Sequence, residues 1–385
     1  MRDPQDPIAA ATHPDPYPYY RRLRETQPLY FDRDCGFWVA SGVPAIRAVL
    51  ESAHCHIRPP AQPVPPNLAG TGIAPVFTSL VRMTDGDFHR RMKAAVVAGL
   101  AQVDGVVLQA IIDEGLAALV PAGTADLRML LADLQYRLPA FVIARLLGIE
   151  AGDCHNAATR VAPFVAAMAA GASGERVEQG CQAAQMLLAM LTKAGETPTS
   201  APANLTITLL RQAREQGLGP QDALANCLGF LMQTFDATAG LIGNGFLALA
   251  RLPCGSGGLD WEDFVDEVLR YDPPVQNTRR IIAQDIMIDG HVLKAGDAVV
   301  LVLAAANRDP SLNPDPDMFR LIRVDRRLMT FGHGRHLCPG QAIARRLAAA
   351  ALRLLSAYRD RLSLSSVEAV KYRPLPNARI PEFTA

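Results

Sequence analysis

The sequence predicts a mainly α-helical protein with small β-sheets, and three observations carry that expectation. Apolar residues recur at helical spacing through much of the chain, the segment from Gln221 to Arg251 is apolar on nearly every side, and strand-like alternation is confined to short runs. With 385 residues, 49% hydrophobic and 20% charged, the chain can bury a large core. Proline-rich stretches near 59–66 and 196–203 are the best linker candidates, yet neither marks a change in composition. Composition therefore leaves one large helical domain and two smaller ones equally open.

Taken in order, Tyr19 to Gln27 has a helical pattern ahead of Pro28, Phe37 to Ala40 reads as a strand, and Val43 to Leu50 as a short helix. Residues 55–80, rich in proline, read as a long irregular loop of the kind that lines a site. Helical patterns follow at 87–120, 126–149 and 175–194. The strongest helix, Gln221 to Arg251, is entered through Gly217-Leu218-Gly219-Pro220, and a helix apolar all round passes through a protein's centre. Asn226, Gln233, Asp236 and Asn244 interrupt it, which argues for a buried core helix over a membrane span. Strands are expected at Ile281–Ile288 and Ala298–Leu303 with the turn Asp289-Gly290 between them, then a helix from Gln341 to Arg359 and a hairpin from Val370 to Phe383.

Lysine and arginine number 38, as do aspartate and glutamate, so bulk charge draws the protein to neither nucleic acid nor an anionic membrane. Seven cysteines, at 35, 55, 154, 181, 227, 254 and 338, are dispersed without metal-clip spacing, which fits a reducing cytosol. The opening Met1-Arg2-Asp3-Pro4-Gln5-Asp6 has no apolar core, so a soluble, cytoplasmic protein is expected.

Residues 331–340 read Phe-Gly-His-Gly-Arg-His-Leu-Cys-Pro-Gly and run directly into an amphipathic helix. Gly332, Gly334 and Gly340 allow a tight backbone that can lie flat against a planar ligand. Cys338 stands at the helix N-terminus, where unpaired N–H groups and the macrodipole favour thiolate over thiol. Arg335 and His336 are placed to meet an anionic group at the edge of the same ligand.

This run resembles the haem-binding signature of the cytochrome P450 superfamily, Phe-x-x-Gly-x-His/Arg-x-Cys-x-Gly. The resemblance implies a P450-like fold as a single domain over 1–385, with haem b (iron protoporphyrin IX) as cofactor. It implies Cys338 as the metal ligand, Phe331, Gly332 and Gly340 as the loop against the haem, and His336 as a propionate partner. Other segments resemble the family too. Glu267-Val-Leu-Arg270 looks like its buried Glu-x-x-Arg pair, with Arg323 as a third, structural member. Arg280 is similar to its propionate-binding arginine. Met83-Thr-Asp85-Gly-Asp-Phe-His89-Arg-Arg-Met-Lys93 is similar to a helix start whose histidine and a residue four later clamp the other propionate, here His89 and Lys93. Lysine there offers a point charge and no fork. The segment from Ala305 to Phe319 reads as scaffold.

In the family the central helix crosses the distal face of the haem, with an acid followed by an alcohol beside the bound oxygen. Asp236 fits the acid, but Ala237 falls where the alcohol is expected, with Thr238 one place later and Thr234 in the usual small-residue position. Either Thr234 or Thr238 supplies the hydroxyl, or a hydroxyl of the substrate does so with ordered water. Phe230, Leu231 and Phe235, with Val76, Phe77 and Val275, are expected to wall an apolar substrate pocket.

The resemblance implies a monooxygenase acting on a hydrophobic small molecule, with electrons from NAD(P)H through ferredoxin and ferredoxin reductase, and a monomer. Arg90, Arg91, Lys93, Arg345, Arg346 and Arg353 are candidates for a basic docking face. Oxidative coupling or desaturation, and a non-catalytic haem sensor, are the alternative functions.

Overall fold

The computed structural model describes residues 3–120, 126–196, 203–252, 258–361 and 370–383. Cys254 and most of the linker candidate at 196–203 lie outside them. Two compact units emerge, one from Met1–Pro59 with Ala237–Ala385, the other Pro60–Asp236.

In the first unit Asp6 caps α1 (Pro7–Ala10), its carboxylate accepting the Ile8 and Ala9 N–H groups at 2.7 and 2.8 Å. Helix α2 (Tyr17–Thr26) buries Tyr17, Tyr20 and Leu23 along one stripe. The expected strand is present as β2 (Phe37–Ala40), and it pairs with β1 (Leu29–Asp32), whose mixed burial gave no clear alternation. Helix α3 (Val43–Glu51) and the short β3 (Cys55–His56) follow.

The second unit departs from expectation at its breaks. The region read as loop contains α4 (Ala74–Ser79), disguised by Pro75, which is tolerated in a first turn. The helix expected over 87–120 is two, α5 (Gly86–Leu100) and α6 (Gly105–Leu119), bent by 80°. Asp104 restarts the chain there by accepting the Val106 and Val107 N–H groups. The pattern at 126–149 resolves into α7 (Leu127–Ala132), a π-helical turn at Asp133–Arg137, and α8 (Leu138–Leu146) with Pro139 in its first turn. Helix α9 (Ala151–Ala167) was hidden by its internal Pro163. Helix α10 (Gly174–Glu196) matches the third pattern, and it crosses α9 closely because Gly180 has no Cβ, which would stand 2.2 Å from that of Ala167. Helix α11 (Leu205–Glu215) carried too few residues to be read as periodic. The long α12 (Pro220–Arg251) matches the strongest expectation; it begins in the second unit and ends in the first.

Back in the first unit, Asp260 caps α13 (Trp261–Tyr271). The strand expected over Ile281–Ile288 is broken into β4 (Thr278–Ile282) and β5 (Ile286–Ile288). Strand β5 turns back on β6 (His291–Leu293) through Asp289 and Gly290, both at positive φ, so that turn closes a hairpin of its own. Strand β7 (Ala298–Leu301) completes a five-stranded sheet in the order β1-β2-β7-β4-β3, with β2 and β7 parallel. A short α14 (Leu303–Asn307) follows, then α15 (Gln341–Leu355), and β8 (Lys371–Tyr372) pairs with β9 (Pro381–Glu382) as the expected hairpin. The sheet and α3 share a core that includes Ile46, Leu50, Ile282, Val299 and Leu301. Among the described residues no single helix is long and apolar enough to cross a membrane, although α5 and α6 together pass the same test by length and composition.

Candidate active site

The cysteine loop is closed by its own backbone. Cys338 N–H donates to Phe331 O at 2.9 Å, Leu337 N–H to Gly334 O at 3.0 Å and Gly332 N–H to Met329 O at 2.8 Å. Gly332 and Gly334 sit at φ of 75° and 65°, a region that costs glycine little. The Gln341 carboxamide donates to Cys338 O, tying the loop to the start of α15. Arg345 lies over the Phe331 ring, 4.8 Å from its centroid.

Two loop side chains hold the loop to α3. Arg335 donates to Ser52 O and Cys55 O, both at 2.6 Å, and the His333 ring meets the Glu51 carboxylate at 2.7 Å. The Arg335 guanidinium thus satisfies backbone carbonyls that follow α3. His336 and Cys338 are half-buried. Burial pushes the thiols of Cys154 and Cys227 up to about 12.

Behind the loop, Glu267 and Arg270 are completely buried and joined twice, Nε to Oε2 at 2.9 Å and Nη2 to Oε1 at 2.7 Å. Arg323 adds Nε to Oε1 at 3.1 Å, so the expected three residues meet. Arg326 is a fourth, Nε to Oε2 at 3.2 Å, which sequence reading missed because nothing marks one arginine of a basic stretch as the buried one. Burial raises the Glu267 carboxyl, but hydrogen bonds from Arg270, the Arg320 N–H and Arg323 outweigh it and hold the group below the ordinary carboxylate value. Asn307, read only as scaffold, connects this cluster to the loop. It donates to Leu269 O and Thr330 Oγ1 and accepts from Met329 N–H. Arg280, on β4 and 4% exposed, donates to Arg279 O at 2.8 Å.

In the second unit His89 is buried on α5 and donates from Nδ1 to Val81 O at 2.9 Å, which fixes a proton on Nδ1 because a carbonyl only accepts. Lys93, one turn on, is half-buried. Val76 and Phe77 are buried on α4. Asn226, which read as an interruption in α12, anchors the segment between them: its Oδ1 accepts Val81 N–H and its Nδ2 donates to Ser79 O. Along α12, Phe230, Thr234, Asp236 and Ala237 are half-buried, while Leu231, Phe235 and Thr238 are buried. Phe235 packs on Tyr136, ring centroids 5.0 Å apart. Val275, in the first unit, packs against the sheet core.

The candidate basic face is largely neutralised. Arg90 and Arg91 pair with Asp87, Arg345 with Asp266, and Arg346 with Glu262. A cavity of about 510 Å³ opens in the first unit beside Tyr17, Tyr271 and Arg379, and none of the cysteine-loop residues lines it.

Comparison with known proteins places this arrangement. The profile described as Cytochrome P450 matches residues 261–365, which hold both Glu267 and Cys338. The cytochrome P450 monooxygenase PikC of Streptomyces venezuelae is 31% identical over 364 residues, 89% of this chain and 83% of its own. The chain belongs to the cytochrome P450 superfamily. Among its relatives, the biotin biosynthesis cytochrome P450 of Bacillus subtilis (strain 168) is 27% identical over 371 residues, 94% of this chain and 93% of its own. The crystal structure of P450BioI in complex with hexadec-9Z-enoic acid ligated acyl carrier protein superposes with a TM-score of 0.78 at 25% identity, covering 95% of this chain and 96% of that one. This P450 is thus an oxidoreductase of monooxygenase type with the mainly α fold expected, and its family's cofactor is haem iron.

The residues present fit that cofactor. A Cβ added at Gly340 would meet nothing within 4 Å, and one at Gly332 only His336 O at 3.7 Å, so the loop is a smooth surface beside a single half-buried thiol. His336 and Arg280, in the same unit, are suited to carboxylate groups at the edge of a porphyrin.

Proposed function

We propose that this P450 binds haem through Cys338 and oxidises a hydrophobic small molecule, hydroxylation being the reaction expected. The observation that carries the reading is the closed loop that sets Cys338 two residues before the N-cap of α15, where backbone N–H groups favour a thiolate. Haem, when bound, supplies the dioxygen activation that no side chain can provide. His336 and Arg280 would hold its carboxylates through hydrogen bonds, as would His89 and Lys93. Glu267, Arg270, Arg323 and Arg326 fix the polypeptide behind the loop. Asp236 takes up and passes protons, and Thr234, on the open side of α12, is better placed than the buried Thr238 to orient water beside Ala237. Phe230, Val76, Phe77 and Val275 supply apolar walls. Electrons come from NAD(P)H through a ferredoxin and its reductase.

P450BioI was solved with a fatty acid carried on acyl carrier protein, which supports a second reading, a carrier-borne acyl substrate. Comparing turnover of free and carrier-bound hexadecenoic acid distinguishes the two.

Cys338→His tests the central assignment. The wild-type protein, reduced under carbon monoxide, should give the red-shifted Soret band of thiolate ligation, and the variant an imidazole-type spectrum. Identical imidazole-type spectra for the two proteins, or no porphyrin in either, would overturn it.

A further inference from the structure

Burial sorts the polar groups of α12. Leu231, Phe235 and Thr238 are at most 7% exposed and form one side of the helix. Gln233, half-buried, lies opposite them on a 3.6-residue turn, in the middle of the open side and one turn before Ala237. Besides the apolar Phe230 and Met232, four residues share that open side. Ala237 has no polar atom. Thr234 gives its hydroxyl proton to Phe230 O at 2.8 Å, which leaves only acceptor lone pairs. Asp236, when ionised, only accepts.

Gln233 differs from all three. Its Nε2 donates one hydrogen to Gly229 O at 3.0 Å, and its carboxamide makes no other hydrogen bond among the described residues. A Cβ at Gly229 would stand 2.7 Å from Leu80 Cδ2 and 3.3 Å from Nε2, so a glycine eases this crowded turn. A carbonyl accepts and never donates, so the amide orientation is fixed, with Oε1 turned away from Gly229 and one N–H left over. The open side therefore carries one neutral group that can donate and accept at once.

We infer that Gln233 sets substrate specificity: it holds a substrate that carries a hydroxyl close to the carbon to be oxidised. The inference rests on the haem reading of Cys338 and on Asp236 and Ala237 as the stretch of α12 beside the haem. A hydroxyl satisfies the spare N–H and Oε1 together, whereas a plain hydrocarbon leaves both unsatisfied when it displaces water. The same contact brings the hydroxyl of the substrate to the turn where Ala237 lacks one.

Iron-anchored probes test this without knowledge of the natural substrate. A series of 1-alkylimidazoles from ethyl to hexyl, and their terminal-hydroxyl counterparts, is titrated into the ferric holoenzyme and into its Gln233→Leu variant, with Kd read from the red shift of the Soret band. At one chain length at least, the hydroxyl should tighten binding to wild type by about 10-fold, the worth of one good hydrogen bond. In Gln233→Leu that gain should vanish while the alkyl parents bind at least as well. A gain that survives in the variant, or no gain at any length, overturns the inference. Failure of the underlying haem reading looks different, because then no imidazole shifts the Soret band of either protein.

Discussion

Thr234 and Thr238 are the same residue four positions apart, and what surrounds each one assigns its work. Thr234 is half-buried on the open side of α12 and bonds back to Phe230 O, while Thr238 is 2% exposed. Thr234→Val should therefore raise the hydrogen peroxide released per NAD(P)H consumed several-fold, because water beside Ala237 loses an acceptor. Thr238→Val should leave that ratio unchanged, because Thr238 lies on the buried side of the helix. Equal peroxide ratios in the two variants would remove Thr234 from the reading. Sequence placed both threonines and could not rank them, because burial depends on neighbours far away in the chain. Arg335 makes the same point: nothing in its local sequence shows that the carbonyls of Ser52 and Cys55 accept from its guanidinium.

Helix α13 and the segment after α14 are joined through one carboxylate. Glu267 meets Arg270, Arg323 and Arg326, so removing its charge takes a buried anionic partner from three guanidinium groups. Glu267→Gln should cost on the order of 3–5 kcal/mol and yield protein without haem, visible as a lost Soret band beside an intact expression level. Arg326→Met, with two partners of Glu267 still in place, should retain haem. The acid limb follows from sign. Because the folded-state value of Glu267 is lowered, its stabilisation is complete above about pH 4.3, the ordinary value for the group, and is lost as pH falls through the lowered one. Arg326→Met weakens that lowering, so the acid midpoint of haem loss should move to higher pH; an unchanged midpoint would mean that Arg326 contributes nothing to the charge balance. Sequence spacing gave Glu267 and Arg270 as neighbours on a helix. It gave no view of Arg326 or Asn307, whose roles exist only because the chain returns past α13.

Across the whole molecule the neutral total conceals a split. Residues 60–236 carry 12 lysines and arginines against 15 acids, and the remainder carries 26 against 23. The unit that holds Cys338 is the basic one, which suits an acidic ferredoxin. Its rate of reduction by such a partner should fall steadily with added salt, as screening of opposite charges requires; stopped-flow reduction at rising ionic strength measures this, and a rate indifferent to salt would set the charge argument aside. The local ion pairs of Arg345 and Arg346 limit how steep that fall can be. What the sequence determined by itself were features written into contiguous residues: the length and apolarity of α12, the glycine-framed cysteine loop, the hairpin at the C-terminal end and the Glu267–Arg270 spacing. The tertiary structure alone decided where helices broke, which of two threonines is open, and which arginines are spent on carbonyls or carboxylates. Those outcomes are set by burial and by hydrogen-bond partners distant in sequence, and no local pattern encodes them.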